Sequence, residues 1–266
     1  MRKYDSIEKR LEYHELIMVN DNLADVEQTP LPQGYKFEFF NNSIKDWVTI
    51  HLNSEEFTSV EDAEKVFRDF YNDFLAELPS RCFFIVDEQT NEKVATATIS
   101  PTNEFGYKCK IDWLAISKSH QGKGLAKPLL SFALKLAQKL GYNRILLHTQ
   151  THTWLAVKLY LNFGFEPLNL IENIIGWRIV KTLTNHTKLD HIKTLPESKM
   201  FHDVSVNIVS KLKVLFEQKP FTYEIWFKNG RNDVFVNDGT THYEYKFFRN
   251  GKKLKLVAKG IKLIRY

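Results

Sequence analysis

The chain has 266 residues, 43% of them hydrophobic and 26% charged, with a formal net charge of +5. That length admits one large domain or two smaller ones, each able to bury a core. No apolar run reaches the roughly 20 residues that span a bilayer, and Met1-Arg2-Lys3-Tyr4-Asp5-Ser6 opens with charge rather than a signal segment, so no membrane and a cytoplasmic setting are expected.

From residue 35 to about 190 the pattern alternates between strands and helices. Tyr35–Phe40 reads as a strand, and helical patterns follow at 43–52 and 60–77, where Val60, Ala63, Val66, Phe67, Phe70 and Phe74 line one stripe. Cys82–Val86 and Val94–Ile99 flank a polar turn and suggest a hairpin. A strand at 108–117, a helix at 123–141, a strand at 144–149 and a helix at 153–163 come next, and strands near 165–169 and 176–183 close the series. Beyond Pro196 one amphipathic segment, 203–217, precedes the short runs 223–227, 234–236, 243–248, 254–257 and 261–264. Asn229-Gly230, Asp238-Gly239, Asn250-Gly251 and Lys259-Gly260 separate them, which predicts an antiparallel meander. From residue 201 onward there are 13 Lys/Arg against 6 Asp/Glu, so the chain's excess of positive charge lies in this tail. The expected division is residues 1–195 and 196–266.

The most informative stretch is Gln121-Gly122-Lys123-Gly124-Leu125-Ala126, between the strand Ile111–Ile116 and a helix marked by Leu125, Leu129, Phe132, Ala133, Leu136 and Leu140. Such a helix start offers unpaired backbone N–H groups and the positive end of the helix dipole, and glycines let an anion approach the backbone. The turn should hold a phosphate. A P-loop needs a hydroxyl after Lys123, and the dinucleotide fingerprint needs a third glycine where Lys127 stands, so neither applies.

Gln-x-x-Gly-x-Ala resembles the acetyl-CoA signature of the GNAT superfamily of N-acetyltransferases, and Ala156–Phe165 resembles that family's Ala-x-x-Leu-Tyr-x-x-x-Gly-Phe segment. The resemblance covers about residues 33–190 and implies a mixed, mostly antiparallel α/β (α+β) fold, with helices flanking a central sheet. It implies acetyl-CoA as co-substrate and a primary amine, small molecule or peptide, as acceptor. Gln121, Gly122, Lys123, Gly124, Leu125, Ala126 and Lys127 would hold the pyrophosphate of coenzyme A. Leu114, Ala115 and Ile116, on a strand that splays from its neighbour in relatives, would bond the pantetheine and the acetyl oxygen. Thr153 stands where the family often has an asparagine, and Tyr160 matches its general acid.

The general base is less determined. Asp112 lies two residues before Leu114, so regular alternation puts the two on one face, and partial burial would raise its pKa toward a useful value. Structural hydrogen bonding, binding of the substrate amine and a water chain remain alternatives. Trp47, Phe70, Tyr71, Phe105 and Trp113 are candidates both for the acceptor site and for the core. Cys82 and Cys109 read as buried small hydrophobes, and the nine histidines show no ligand spacing, so no metal is expected. The basic tail could complete the acceptor site or support a homodimer. A second reading makes the chain an acetyl-CoA sensor whose tail contacts nucleic acid, although surface lysines on a meander more often serve as solvated edges.

Overall fold

The computed structural model describes residues 8, 11–57, 59–196, 200, 212–216, 220–228, 231–238 and 242–248. The chain divides into two compact units, both discontinuous in sequence. Of the described residues, one unit takes 18–148 (without 58) and 163–166, the other 8, 11–17, 149–162 and those from 167 to 248.

Most of the first unit's strands belong to a seven-stranded sheet. In chain order the strands of the sheet are β1 (Glu15–Asn20), β2 (Tyr35–Phe39), β3 (Cys82–Asp87), β4 (Glu92–Pro101), β5 (Cys109–Ile116), β6 (Ile145–Gln150) and β7 (Glu166–Pro167). Their order in space is β2-β3-β4-β5-β6-β1-β7. The β2–β3, β3–β4 and β4–β5 pairs are antiparallel and β5–β6 is parallel, so the expected mixed, mostly antiparallel sheet is present.

Consecutive phenylalanines show how the sheet is covered. Phe84 packs with Trp47, Phe67 and Tyr71 from α1 (Ile44–Asn53) and α2 (Val60–Tyr71). Phe83, pointing the other way, meets Phe132 of α4 (Ala126–Lys139) at 4.6 Å between ring centroids, and Phe132 stacks on Phe37 at 4.0 Å. The start of α2 is fixed by Ser59, an extended N-cap whose side chain accepts from the Asp62 N–H. The stripe expected over 60–77 divides, because α2 stops at Tyr71 and a 3₁₀ stretch continues to Glu77 before the short helix α3 (Leu78–Arg81).

The second unit contains α5 (Trp154–Asn162) and α6 (Ile174–Thr184). Here the strand expected at 176–183 is overturned. Trp177, Ile179, Val180, Lys181 and Thr184 are buried, a helical recurrence, and α6 ends at a left-handed Asn185. A Cβ on Gly176 would lie 2.5 Å from the Cβ of His14, so the glycine permits close approach of the helix. The strand expected at 165–169 is reduced to the two residues of β7. The same unit carries a separate sheet of β8 (Thr222–Lys228), β9 (Arg231–Asn237) and β10 (His242–Phe248), ordered β10-β9-β8 and antiparallel throughout. The pair Lys228↔Arg231 fits the Asn-Gly hairpin cue, and Leu212, Phe216, Val234, Val236 and Tyr245 form a core beside it. The runs 254–257 and 261–264, and most of 203–217, lie outside the described residues.

Candidate functional site

The turn between β5 and α4 begins where the Ser117 N–H donates to the Val94 carbonyl at 2.9 Å. A single 3₁₀ turn, Lys118–His120, follows, closed by His120 N–H to Ser117 O at 2.8 Å. The buried His120 ring lies 3.2 Å from the Asp87 carboxylate and edge-on to Tyr35, which fastens the turn to the far ends of β3 and β2. Gln121 folds back, its side-chain amide donating to the Ile116 carbonyl at 3.1 Å. Gly122 and Gly124 then take φ values of +78° and +82°, the left-handed region that favours glycine. A Cβ at Gly122 would meet open space, and one at Gly124 would reach only Pro32, at 3.7 Å.

No side chain caps the start of α4, and its first turn carries no acidic residue. Orphan N–H groups and an uncompensated dipole therefore open onto a glycine turn, a fit for the phosphates of a coenzyme. Lys123 and Lys127 are exposed beside it, Leu125 is buried and Ala126 begins the helix, so Gln121 through Lys127 are brought together as a cradle.

The adjoining strand has two unlike edges. Toward β4 the ladder runs from Pro101↔Cys109 to Ala95↔Ile116, interrupted by a β-bulge in which Trp113 and Leu114 oppose Ala97 alone. Trp113 has φ +53°, unusual for a bulky residue. Toward β6 the ladder consists of Lys110↔Leu146 and Ile111↔Leu147 and goes no further. Since the Ser117 N–H faces β4, antiparallel alternation directs the Ile116 N–H away from it, and Leu114, in the bulge, has no ladder partner on β4 of its own. The central strand is thus not fully paired, the condition required of a strand that offers backbone groups to a ligand.

The bulge corrects one expectation. Thr98, the partner of Asp112, bonds Tyr71 of α2 at 2.8 Å, and Trp113 packs on Trp47, His51, Phe57 and Phe70. Asp112 and Trp113 therefore lie consecutively on the helix-covered face, and Ala115 returns to it. The alternation that would place Asp112 and Leu114 together is broken.

Asp112 is largely buried, with 14% of its side chain exposed, and its Oδ2 has no hydrogen-bond partner among the described residues. Burial raises its pKa to about 6, while the Lys110 ammonium and the Ser100 hydroxyl pull it back. A carboxyl poised there can accept a proton near neutrality. Lys110 lies 3.9 Å from Asp112 but 2.8 Å from Glu104, whose other oxygen is 2.8 Å from His148 Nε2. Nothing in the sequence spacing announces this network. Cys82 and Cys109 are buried free thiols, pushed by burial up to about 11 and about 12, which suits inert packing residues.

Thr153 and Tyr160 belong to the other compact unit. Thr153 Oγ1 lies 3.1 Å from Thr149 Oγ1 and donates to the Gln150 carbonyl, and Tyr160 is buried on α5. Of the aromatic candidates, Trp47 and Tyr71 are fully buried core residues, Phe105 is exposed, and Phe70 and Trp113 are partly buried on the Asp112 side of the sheet. Among the described residues no group of His, Cys, Asp and Glu could hold a metal ion, and no helix is long and apolar enough to cross a membrane.

Rat N-acetyltransferase 8B (Rattus norvegicus) is 35% identical over 100 residues, 36% of this chain and 45% of its own. An uncharacterised N-acetyltransferase, YjgM, of Escherichia coli (strain K12) is 30% identical over 99 residues, 37% of this chain and 59% of its own. The chain spans about half the length of the curated relatives it matches. A solved GCN5-related N-acetyltransferase from Sphaerobacter thermophilus superposes with a TM-score of 0.46 at 17% identity, covering 60% of this chain and 49% of that one. The profile of the acetyltransferase (GNAT) family matches residues 47–165, which include β5, the glycine turn and α4, and this stretch of the chain is a GNAT acetyltransferase domain.

Proposed function

We infer that the protein is an acetyl-CoA-dependent N-acetyltransferase acting on a primary amine, with a cytoplasmic setting as the expectation carried from the sequence. The observation that carries this reading is the continuity of β5's open edge with the uncapped, glycine-bearing start of α4. Acetyl-CoA supplies an acetyl thioester, which the amine attacks directly, forming the C–N bond as the C–S bond breaks. The backbone N–H groups of the Gly122–Ala126 turn would bind the pyrophosphate, with Lys123 and Lys127 adding charge. Backbone groups of Leu114, Ala115 and Ile116 would serve as preorganised partners for the pantetheine arm and the acetyl oxygen, which is where fixed dipoles contribute most to rate. Thr153 would add a hydroxyl to the arm.

Asp112 would take the proton that the acceptor ammonium must lose, since burial holds its pKa near neutrality. Tyr160 would return a proton to the departing thiolate, the role its match to the family's general acid implies. Phe70 and Trp113, whose rings meet edge-on on the Asp112 side of the sheet, would line the acceptor site. Thiol release from acetyl-CoA against an amine panel, with Gly124→Glu as control, tests the assignment. The expected result is acceptor-dependent release that the control lowers at least tenfold at sub-saturating acetyl-CoA. A protein that binds acetyl-CoA and releases no thiol with any amine would instead be the sensor of the alternative reading.

A further inference from the structure

The Lys110 ammonium stands between two carboxylates. It is 2.8 Å from Glu104 Oε1 and 3.9 Å from Asp112 Oδ2, within hydrogen-bond length of the first and beyond it for the second. Glu104 is itself anchored, accepting from Thr102 Oγ1 at 3.1 Å and lying 2.8 Å from His148 Nε2 through its other oxygen. Glu104 is also the more exposed of the two acids, 38% against 14%. Its charge is cheaper to maintain, and it takes the cation.

We propose that Glu104 is a positioning residue for the acetyl transfer: by holding Lys110, it keeps Asp112 without a bonded counter-ion and so able to accept a proton. This rests on the reading of Asp112 as the base. Every charged or titratable group that influences Asp112 is consistent with it. Lys110 comes from β5 itself and Glu104 from the 104–106 turn. His148 projects from β6, and Tyr71, a neutral phenol kept protonated by burial, faces it from α2. Thr98 and Ser100 of β4 are uncharged. Lys110 is thus the cation nearest the carboxyl, and Glu104 is what occupies it.

The consequence of removing Glu104 has a definite sign. In Glu104→Gln the cation's remaining carboxylate is Asp112, and closing the 3.9 Å gap to bonding distance asks only a rotamer change of a flexible lysine stem. An ion pair at that range lowers a carboxyl pKa by about one to three units. Glu104 also contributes a like charge that helps to raise Asp112, and its loss acts in the same direction. Lys110→Met should do the opposite and raise it.

The decisive measurement is a ¹³C NMR titration of the Asp112 carboxyl in wild type, Glu104→Gln, Lys110→Met and the double variant, with the pH profile of kcat/KM recorded beside it. The titration is expected to move down by about one to three units in Glu104→Gln, up in Lys110→Met, and far less on adding Glu104→Gln to Lys110→Met. The acid limb of kcat/KM should move with it. An Asp112 titration that Glu104→Gln leaves in place overturns the proposal. So does an equal shift in both backgrounds, which would mean that Glu104 acts by its charge alone and not through Lys110. If the titration moves as expected and the acid limb stays, Glu104 does position Lys110, and it is the assignment of Asp112 as base that fails.

Discussion

Along one edge β5 is laddered to β4 over its whole length with a single bulge, whereas along the other it is laddered to β6 only at Lys110 and Ile111. The paired edge holds the strand in the sheet. Beyond Ile111 the open edge has no ladder partner on β6, and a sheet cannot use the same N–H both for its ladder and for a ligand. The two edges meet at the bulge, where the ladder's irregularity brings Asp112 and Trp113 onto one face. Fold and chemistry divide the strand between them, so substitutions should separate stability from activity according to which edge or face they touch.

The largest separation is expected at Asp112. Asp112→Asn should lower kcat/KM by about 10²- to 10⁴-fold, the usual worth of a positioned base. It should also stabilise the protein above neutrality. Because burial raises the carboxyl to about 6, the folded protein keeps a proton that the unfolded chain releases, and stability falls as pH rises through the interval from the ordinary carboxylate range to that value. The asparagine removes the penalty, worth at most about 2–3 kcal/mol at pH 8 and vanishing at pH 3. Thermal denaturation at both pH values checks the sign. An inactive variant that is also less stable at pH 8 would make Asp112 a structural residue.

Smaller effects are expected at the turn and on α5. Gly124→Glu combines a left-handed φ of +82° with a negative charge beside the helix start. The left-handed strain costs about 1–2 kcal/mol of stability, while the added side chain and its negative charge in the path of the pyrophosphate should weaken acetyl-CoA roughly tenfold to several hundredfold in calorimetry. The fold should persist, since the Cβ meets only Pro32 at 3.7 Å. Undiminished binding would remove the turn from the site. Tyr160→Phe should lower kcat by on the order of tenfold to a thousandfold with acetyl-CoA affinity nearly unchanged. An unchanged rate when chemistry limits turnover would leave Tyr160 a packing residue of α5.

How much of this was legible depends on where each signal lies. The glycines, the helix that follows them and the strand before them are local features, and the chain forms all three: positive φ at Gly122 and Gly124, α4 at Ala126–Lys139, and β5 at Cys109–Ile116. The run from Ile174 to Val180 misleads, because its β-branched and aromatic residues favour a strand until packing against residues 14–16, which only Gly176 permits, makes it a helix. The bulge has no signature, since a tryptophan and not a glycine takes the positive φ. The network of Glu104, Lys110 and His148 joins a turn and two strands, a meeting that pairing creates and no spacing within one segment encodes.

The smallest effect concerns the two lysines of the cradle, and it decides whether backbone or side chain binds the coenzyme. Lys123 and Lys127 are exposed, so each charge acts through solvent, while the amides of the turn are fixed by Gly122, Gly124 and the Gln121 tie to Ile116. An exposed ion pair between a lysine and a phosphate is worth about 0.2–1 kcal/mol. Lys123→Ala and Lys127→Ala should therefore each weaken acetyl-CoA by only about two- to fivefold. Salt sharpens the distinction, because the screening length shrinks from about 10 Å at 0.1 M to about 3 Å at 1 M. The alanine variants should converge on wild type as salt rises, whereas the defect of Gly124→Glu, largely steric, should survive. Should either lysine variant lose more than about fiftyfold at high salt, a side-chain clamp and not the uncapped helix would be the principal phosphate ligand.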